Sequence, residues 1–260
     1  MRRAWLWCLL CLAVSPAAAQ MHEATPPAGK GVHYLYLVRH GIYDRDTTVT
    51  DDRAGNGLNA LGHEQARLVG ARLAALGVKF DRLISSELLR AKQTADDMGA
   101  PMKMTPTRDG SLNECTPASV SATLMASEKP ADVTACDSVR AVAWQRYFTP
   151  TPTRDTYDVL VCHGNVIRWT LMRALGADTK LWSNQDIGNC SLSIIAVRPD
   201  GTIRLVMYSD VGSLPVEKQT WSGRGGGWVR TTRRTVVRHL NARNHSAAQH
   251  LALARARPAL

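Results

Sequence analysis

Val32-His33-Tyr34-Leu35-Tyr36-Leu37-Val38-Arg39-His40-Gly41 is the stretch on which the fold turns. Its first seven residues are almost continuously apolar, as in a strand covered on both faces, and they run straight into an arginine, a histidine and a glycine. Downstream the pattern repeats. Leu58 to Leu76 places Leu61, Leu68, Val69, Leu73 and Leu76 on one helical face, with Gly77 where a C-terminal cap belongs. Leu83-Ile84 reads as a short strand leading into Ser85-Ser86 and a helix from about Glu87 to Met98. Tyr157 to Cys162 is a second buried strand, followed by His163-Gly164-Asn165 and a helix from Val166 to Leu175. Ser191 to Val197 and Thr202 to Tyr208 flank Pro199-Asp200-Gly201, a turn signal for a terminal hairpin. This alternation predicts an α/β protein: a three-layer α/β/α sandwich with a mostly parallel central sheet, spanning residues 32–220.

The polar residues fall where such a sheet does its chemistry. Arg39 and His40 follow the first strand, and His163 follows the later one. Arg90 lies in or near the first turn of the helix after Ser85-Ser86. In a parallel sheet these carboxyl ends share one edge, where ligands bind. The N-terminus of the helix that follows His163-Gly164-Asn165 adds N–H groups that lack intrahelical partners. Arg39, Arg90, His163, Gly164 and Asn165 are therefore the expected substrate-binding residues, and phosphate is the guest that paired arginine donors fit. A reaction also needs a nucleophile, which a neutral histidine supplies, and an acid on the leaving-group side. Asp109 and Glu114, both in the segment after the Arg90 helix, are the two candidates. Glu114 is favoured because Leu112 before it would pin the loop to the sheet edge. The chain has no H-x-H or H-E-x-x-H, and Arg67 stands where a second ligand after His63-Glu64 would be. No metal or cofactor is expected.

Working outward, the ends differ in kind from this middle. Residues 1–19 begin with Arg2 and Arg3, continue in an apolar run from Ala4 to Val14 and end in Ala17-Ala18-Ala19. That is the layout of a secretory signal peptide, too short to span a membrane, and it predicts an exported, periplasmic protein. Residues 20–31 read as a linker. The formal charge of the chain is +10, yet Trp221–Leu260 alone holds eight arginines and neither lysine nor acid. Residues 221–260 are thus expected to form a flexible basic tail on a nearly neutral body, which argues against specific nucleic-acid binding by the folded part. Gly223, Gly225, Gly226 and Gly227 in that tail neither follow a strand nor open a βαβ unit, so they are no dinucleotide fingerprint. Past residue 19 the cysteines are Cys115, Cys136, Cys162 and Cys190. Export would permit disulfides, with Cys115 and Cys136 the first pair to test, whereas Cys162 inside Val-Leu-Val-Cys reads as a buried thiol. Pairing and oligomeric state are left open by the sequence.

Four ordered blocks carry a family likeness. Arg39-His40-Gly41, then Ser85-Ser86-x-Leu88-x-Arg90-Ala91-x-x-Thr94, Leu112-x-Glu114 and His163-Gly164-x-Val166-Ile167-Arg168 together resemble the histidine phosphatase superfamily, the phosphoglycerate-mutase-like fold. Tyr43, Leu61-Gly62-x-Glu64-Gln65-Ala66 and Asn165-Val166-Ile167-Arg168 are most similar to its mitochondrial Ser/Thr protein phosphatase branch. Ile42-Tyr43-Asp44-Arg45 replaces the Trp-Asn continuation of the mutases. The resemblance implies that His40 attacks phosphorus, that Arg39, Arg90 and His163 hold the phosphoryl oxygens, and that Glu114 protonates the departing oxygen before water releases phosphate. It implies a metal-independent phosphomonoesterase acting on a phosphorylated small molecule or a phosphoprotein. The competing reading is an exported protein that binds phosphate-like anions without turning them over.

Overall fold

The structure is a computed structural model that describes residues 31–151 and 153–222. The segments expected as a signal peptide and a linker, up to residue 30, and the expected tail from residue 223 lie outside the described residues. Within them the elements run β1 (His33–Arg39), α1 (Ala60–Ala74), β2 (Arg82–Ser85), α2 (Leu89–Met102), β3 (Thr107–Arg108), α3 (Ala122–Met125), α4 (Pro130–Tyr147) and β4 (Thr156–Cys162). Then come α5 (Gly164–Ala174), β5 (Ile187–Gly188), β6 (Leu192–Val197), β7 (Ile203–Asp210) and β8 (Trp221–Ser222). Six strands form one sheet in the order β3-β2-β4-β1-β6-β7, and β5 pairs with β8 in a small second sheet. The first four strands in that order run parallel, and β6 is antiparallel to both β1 and β7.

The period-two alternation of strand side chains sorts them onto two cores. Tyr36, Val38, Val159 and Val161 face α1 and α2, packing with Val69, Leu73, Ala95 and Met98. Leu35, Leu37, Leu160 and Cys162 face the opposite way, onto Val166, Ile167 and Leu171 of α5 and Tyr147 of α4. The central strands are apolar along most of their length because both faces are covered, which is the expected three-layer sandwich. Each fully buried aliphatic side chain in these layers contributes about 1.5–3 kcal/mol.

Local chemistry sets the element ends. The Asn59 side chain accepts from Gly62 N at 3.0 Å and so starts α1 two residues later than periodicity alone indicates. α2 has no side-chain cap of its own. Instead the Asp52 carbonyl, on the loop before α1, accepts the Leu89 N–H at 2.7 Å. Gly201 at φ +82° turns the β6–β7 hairpin. Ordered pairing also reaches past both ends expected for the domain. Gly31 bridges Thr151, and Trp221–Ser222, assigned to the tail by composition, pairs as β8 with Ile187–Gly188.

What matters for function is the divergence at the middle of the sheet. β1 leads to α1 on one face, and its neighbour β4 leads to α5 on the other, so a crevice opens between their carboxyl ends. Arg39 registers against Cys162 across this pair, which sets His40 and His163 side by side at that crevice.

Candidate active site

Four parallel strand ends contribute in order along the rim. β3 leads through a turn at Gly110–Leu112 to Asn113 and Glu114. β2 leads to Ser86 and Arg90, β4 to His163, and β1 ends at Arg39 and His40. A cavity of about 700 Å³ lies above them, lined by Arg39, His40, Arg90, Glu114, Gly164 and Asn165 together with Tyr43, Arg45, Asp52, Glu128 and Arg168. Tyr43, Arg45 and Asp52 come from the loop after His40, and Cys115, Thr116 and Glu128 from the segment after Glu114.

His40 is almost wholly buried, and its Nδ1 lies 2.8 Å from the Gly41 carbonyl. A carbonyl only accepts, so Nδ1 carries the proton and the lone pair of the neutral ring belongs to Nε2. Burial first, and then the positive charges of Arg39 and Arg90, hold this imidazole well below its ordinary pKa. It is neutral at neutral pH. His163 is fully buried, does not line the cavity, and lies with its ring centroid 5.1 Å from that of His40. Its Nε2 is 2.7 Å from Ser86 Oγ. Because the Ser86 hydroxyl donates to Asn113 Oδ1 at 2.9 Å, His163 is the donor to Ser86 and its Nδ1, buried without a partner, is left as the acceptor. Burial, followed by the neighbouring His40, Arg90 and Arg39, keeps His163 neutral too.

The cations are held from behind. Arg39 donates to the Ile187 carbonyl at 2.7 Å, and burial brings its pKa down to about 10, still charged at neutral pH. Arg90 pairs with Asp52 at 2.7 Å and lies 4.9 Å over the Tyr43 ring. Glu87, three residues earlier and outside α2, pairs with Arg53 instead. The two candidate acids meet different environments. Asp109 is taken up by Arg146, Tyr147 and the Ser111 N–H, and its pKa falls to about 2 despite burial. Glu114 has a buried Oε1 with no partner, and burial raises its pKa against the pull of Arg90, Arg39, Arg168 and Arg140. Asp109 is committed to structural contacts, whereas Glu114 lines the cavity with its Oε1 unpartnered.

Asn165 lines the cavity with its amide engaged at both ends, donating to the Cys115 carbonyl at 3.0 Å and accepting from Arg168 at 2.6 Å. It ties the Glu114–Cys115 turn to α5. Arg168 itself lies one helical turn beyond Gly164, a spacing that marks it for the same face as the site. Asp52 carried no signal, since nothing in an irregular loop predicts which residue folds back.

Buried guanidiniums beside neutral imidazoles, at the crevice of a parallel sheet, describe an α/β protein built to take a phosphoryl group. The sequence pattern of the histidine phosphatase superfamily (branch 1) matches residues 35–135 and 128–210. The mitochondrial serine/threonine-protein phosphatase PGAM5 of Xenopus tropicalis is 33% identical over 194 residues, which are 73% of this chain and 68% of that protein. Its Homo sapiens counterpart is 31% identical over 204 residues, 74% of this chain and 68% of its own length. Among solved structures, a phosphoglycerate mutase from Plasmodium falciparum superposes with a TM-score of 0.50 at 24% identity, over 71% of this chain and 95% of that one. A phosphoserine phosphatase from Entamoeba histolytica does so with a TM-score of 0.51 at 18% identity, over 70% and 100%. The chain belongs to the histidine phosphatase superfamily, branch 1, and is a phosphatase. That sets aside the reading as a binder without turnover. The expected periplasmic location is corrected: the curated relatives are mitochondrial proteins, not exported ones. Among the described residues no helix is long and apolar enough to cross a membrane.

Proposed function

We propose that this phosphatase hydrolyses phosphomonoesters through a phosphohistidine on His40, without a metal ion. One observation carries the reading. His40, with Nδ1 committed to Gly41 and its ring kept neutral, lines the same cavity as Arg39, Arg90 and Glu114. Nε2 attacks phosphorus, the bond to the leaving oxygen breaks, and Glu114 delivers its proton to that oxygen. Water then gives a proton back to the Glu114 carboxylate and attacks phosphorus. The N–P bond breaks, inorganic phosphate leaves, and His40 is again neutral. Arg39 and Arg90 stabilise the charge spread over the phosphoryl oxygens, and the Gly164 end of α5 adds its dipole. His163, fixed by Ser86, stands behind the cavity wall and packs its ring beside that of His40.

The relatives named as serine/threonine-protein phosphatases support a phosphoserine or phosphothreonine side chain as substrate class. The cavity's mixed charges, Arg45, Asp52, Glu128 and Arg168, suit flanking peptide groups. The His40→Ala variant is expected to lose about 10³-fold or more of its turnover and to trap no acid-labile phosphoenzyme. Retention of the label would remove His40 from the mechanism. Vanadate is expected to inhibit and EDTA to leave the rate unchanged; inhibition by EDTA would overturn the metal-free reading. Glu114→Gln is expected to slow alkyl phosphates about 10²–10⁴-fold and aryl phosphates much less, because only a poor leaving group needs the proton.

A further inference from the structure

The two peptide groups that follow His40 are each gripped by buried side chains. In the first, the His40 carbonyl accepts from Asn189 Nδ2 at 3.1 Å, and the Gly41 N–H donates to Thr94 Oγ1 at 3.0 Å. In the second, the Ile42 N–H donates to Gln65 Oε1 at 2.9 Å, while the Gly41 carbonyl at its other end accepts from His40 Nδ1. A peptide group is planar, so holding the Ile42 N–H also aims the Gly41 carbonyl, and that carbonyl aims the imidazole. Gln65 and Asn189 are fully buried, yet neither amide is oriented by its own element. Both are oriented by one hydroxyl. Thr220 Oγ1 donates to Asn189 Oδ1 at 3.0 Å and accepts from Gln65 Nε2 at 3.0 Å; the second Gln65 hydrogen goes to the Lys218 carbonyl at 2.7 Å.

We propose that Thr220 is a positioning residue for the nucleophile, its hydroxyl locking the Gln65 and Asn189 amides that set the direction of the His40 ring; this rests on the reading of His40 as the phosphoryl acceptor. The surrounding strap points the same way. The Thr220 carbonyl accepts the Asn189 N–H at 2.9 Å, and β8 just beyond it pairs with Ile187, whose carbonyl holds Arg39. Cys190, left-handed at φ 49°, turns the chain so that its own N–H reaches the Arg39 carbonyl at 3.1 Å. The last described residues of the chain thus brace both the nucleophile and one of its arginines. A methyl in place of the hydroxyl leaves an Asn189 oxygen and a Gln65 hydrogen without their partner, and each amide is then held from one side fewer.

The test is rapid-quench measurement of phosphoenzyme formation from a ³²P-labelled aryl phosphate, on the full chain. Thr220→Val is expected to lower the rate constant at least about tenfold with KM within about threefold, and Thr220→Ser to restore it, because misaiming a nucleophile by a fraction of an ångström costs rate more than binding. A rate constant is a property of the molecules that react, so partial unfolding lowers the amplitude and leaves it alone. Thr220→Ala gives the same reading should the valine variant fold poorly. A wild-type rate constant in Thr220→Val, with no label in His40→Ala, overturns the role of Thr220 and leaves the His40 reading standing. Label in His40→Ala removes that reading and this inference with it.

Discussion

His40 shows how a single residue type is given its chemistry by its surroundings. An exposed imidazole is half charged near pH 6.5. Burial, Arg39 and Arg90 push this one lower, so it stays neutral into mild acid, as the proposed attack on phosphorus requires. The sign of a test follows. Arg90→Met removes one positive neighbour, lets the His40 pKa rise, and moves the acidic limb of the kcat/KM profile to higher pH. It also lowers kcat/KM, by about 10²–10³-fold, through the lost phosphoryl contact. An acidic limb that stays where it was would take Arg90 out of the field of His40. The residue identities were legible in the sequence because each stands directly after an apolar strand or in the first turn of a helix. Their partners were not. Asp52 reaches Arg90 from 38 positions away along the chain, and Ser86 reaches His163 from 77, separations at which no local pattern operates.

At the scale of elements, the site depends on how closely α1 approaches the loop after β1. A Cβ on Gly41 would lie 2.6 Å from the Gly62 carbonyl, and one on Gly62 would lie 2.0 Å from the Ile42 carbonyl. Both glycines are there so that two backbones can touch, which puts Gln65 within reach of Ile42. Gly62→Ala is therefore expected to cost about 1–3 kcal/mol of stability by overpacking and to lower kcat as well. Gly77 differs. It sits at φ +68° with open space around it, so Gly77→Ala is expected to cost about 1–2 kcal/mol by backbone strain and to leave turnover alone. Thermal melts paired with turnover separate the two, and an effect of Gly62→Ala on melting alone would uncouple α1 from the site. The helices and strands themselves were readable from hydrophobic period. Their ends moved by a few residues wherever a cap came from a loop, as at Leu89.

For the whole molecule, the Cys115–Cys136 disulfide joins the turn carrying Glu114 to α4, while Cys162 and Cys190 are buried thiols. The pairing matches the one the sequence offered first, although the curated relatives are mitochondrial proteins. Closing a loop of 21 residues stabilises the fold by about 3 kcal/mol. Reduction is thus expected to lower the melting temperature by roughly 6–12 °C. The Cys115→Ser, Cys136→Ser double variant is expected to melt at that lower temperature with or without dithiothreitol. Equal melting of the oxidised, reduced and double-variant forms would show that the bond contributes nothing to stability.

Local pattern was enough to determine the layered α/β class, the strand ends that carry chemistry and the residue types gathered there. Apolar period and strand-to-helix succession are properties of neighbours in sequence. Which acid keeps an unpartnered oxygen, which histidine faces the cavity and which hydroxyl bonds both Gln65 and Asn189 were decided only by the folded chain. Asp109 and Glu114 are both carboxylates in one short loop, and they part company because one meets Arg146 and Tyr147 while the other is buried with an oxygen unpartnered. Desolvation and long-range hydrogen bonds come into being when distant segments close together, so no stretch of the chain read alone contains them.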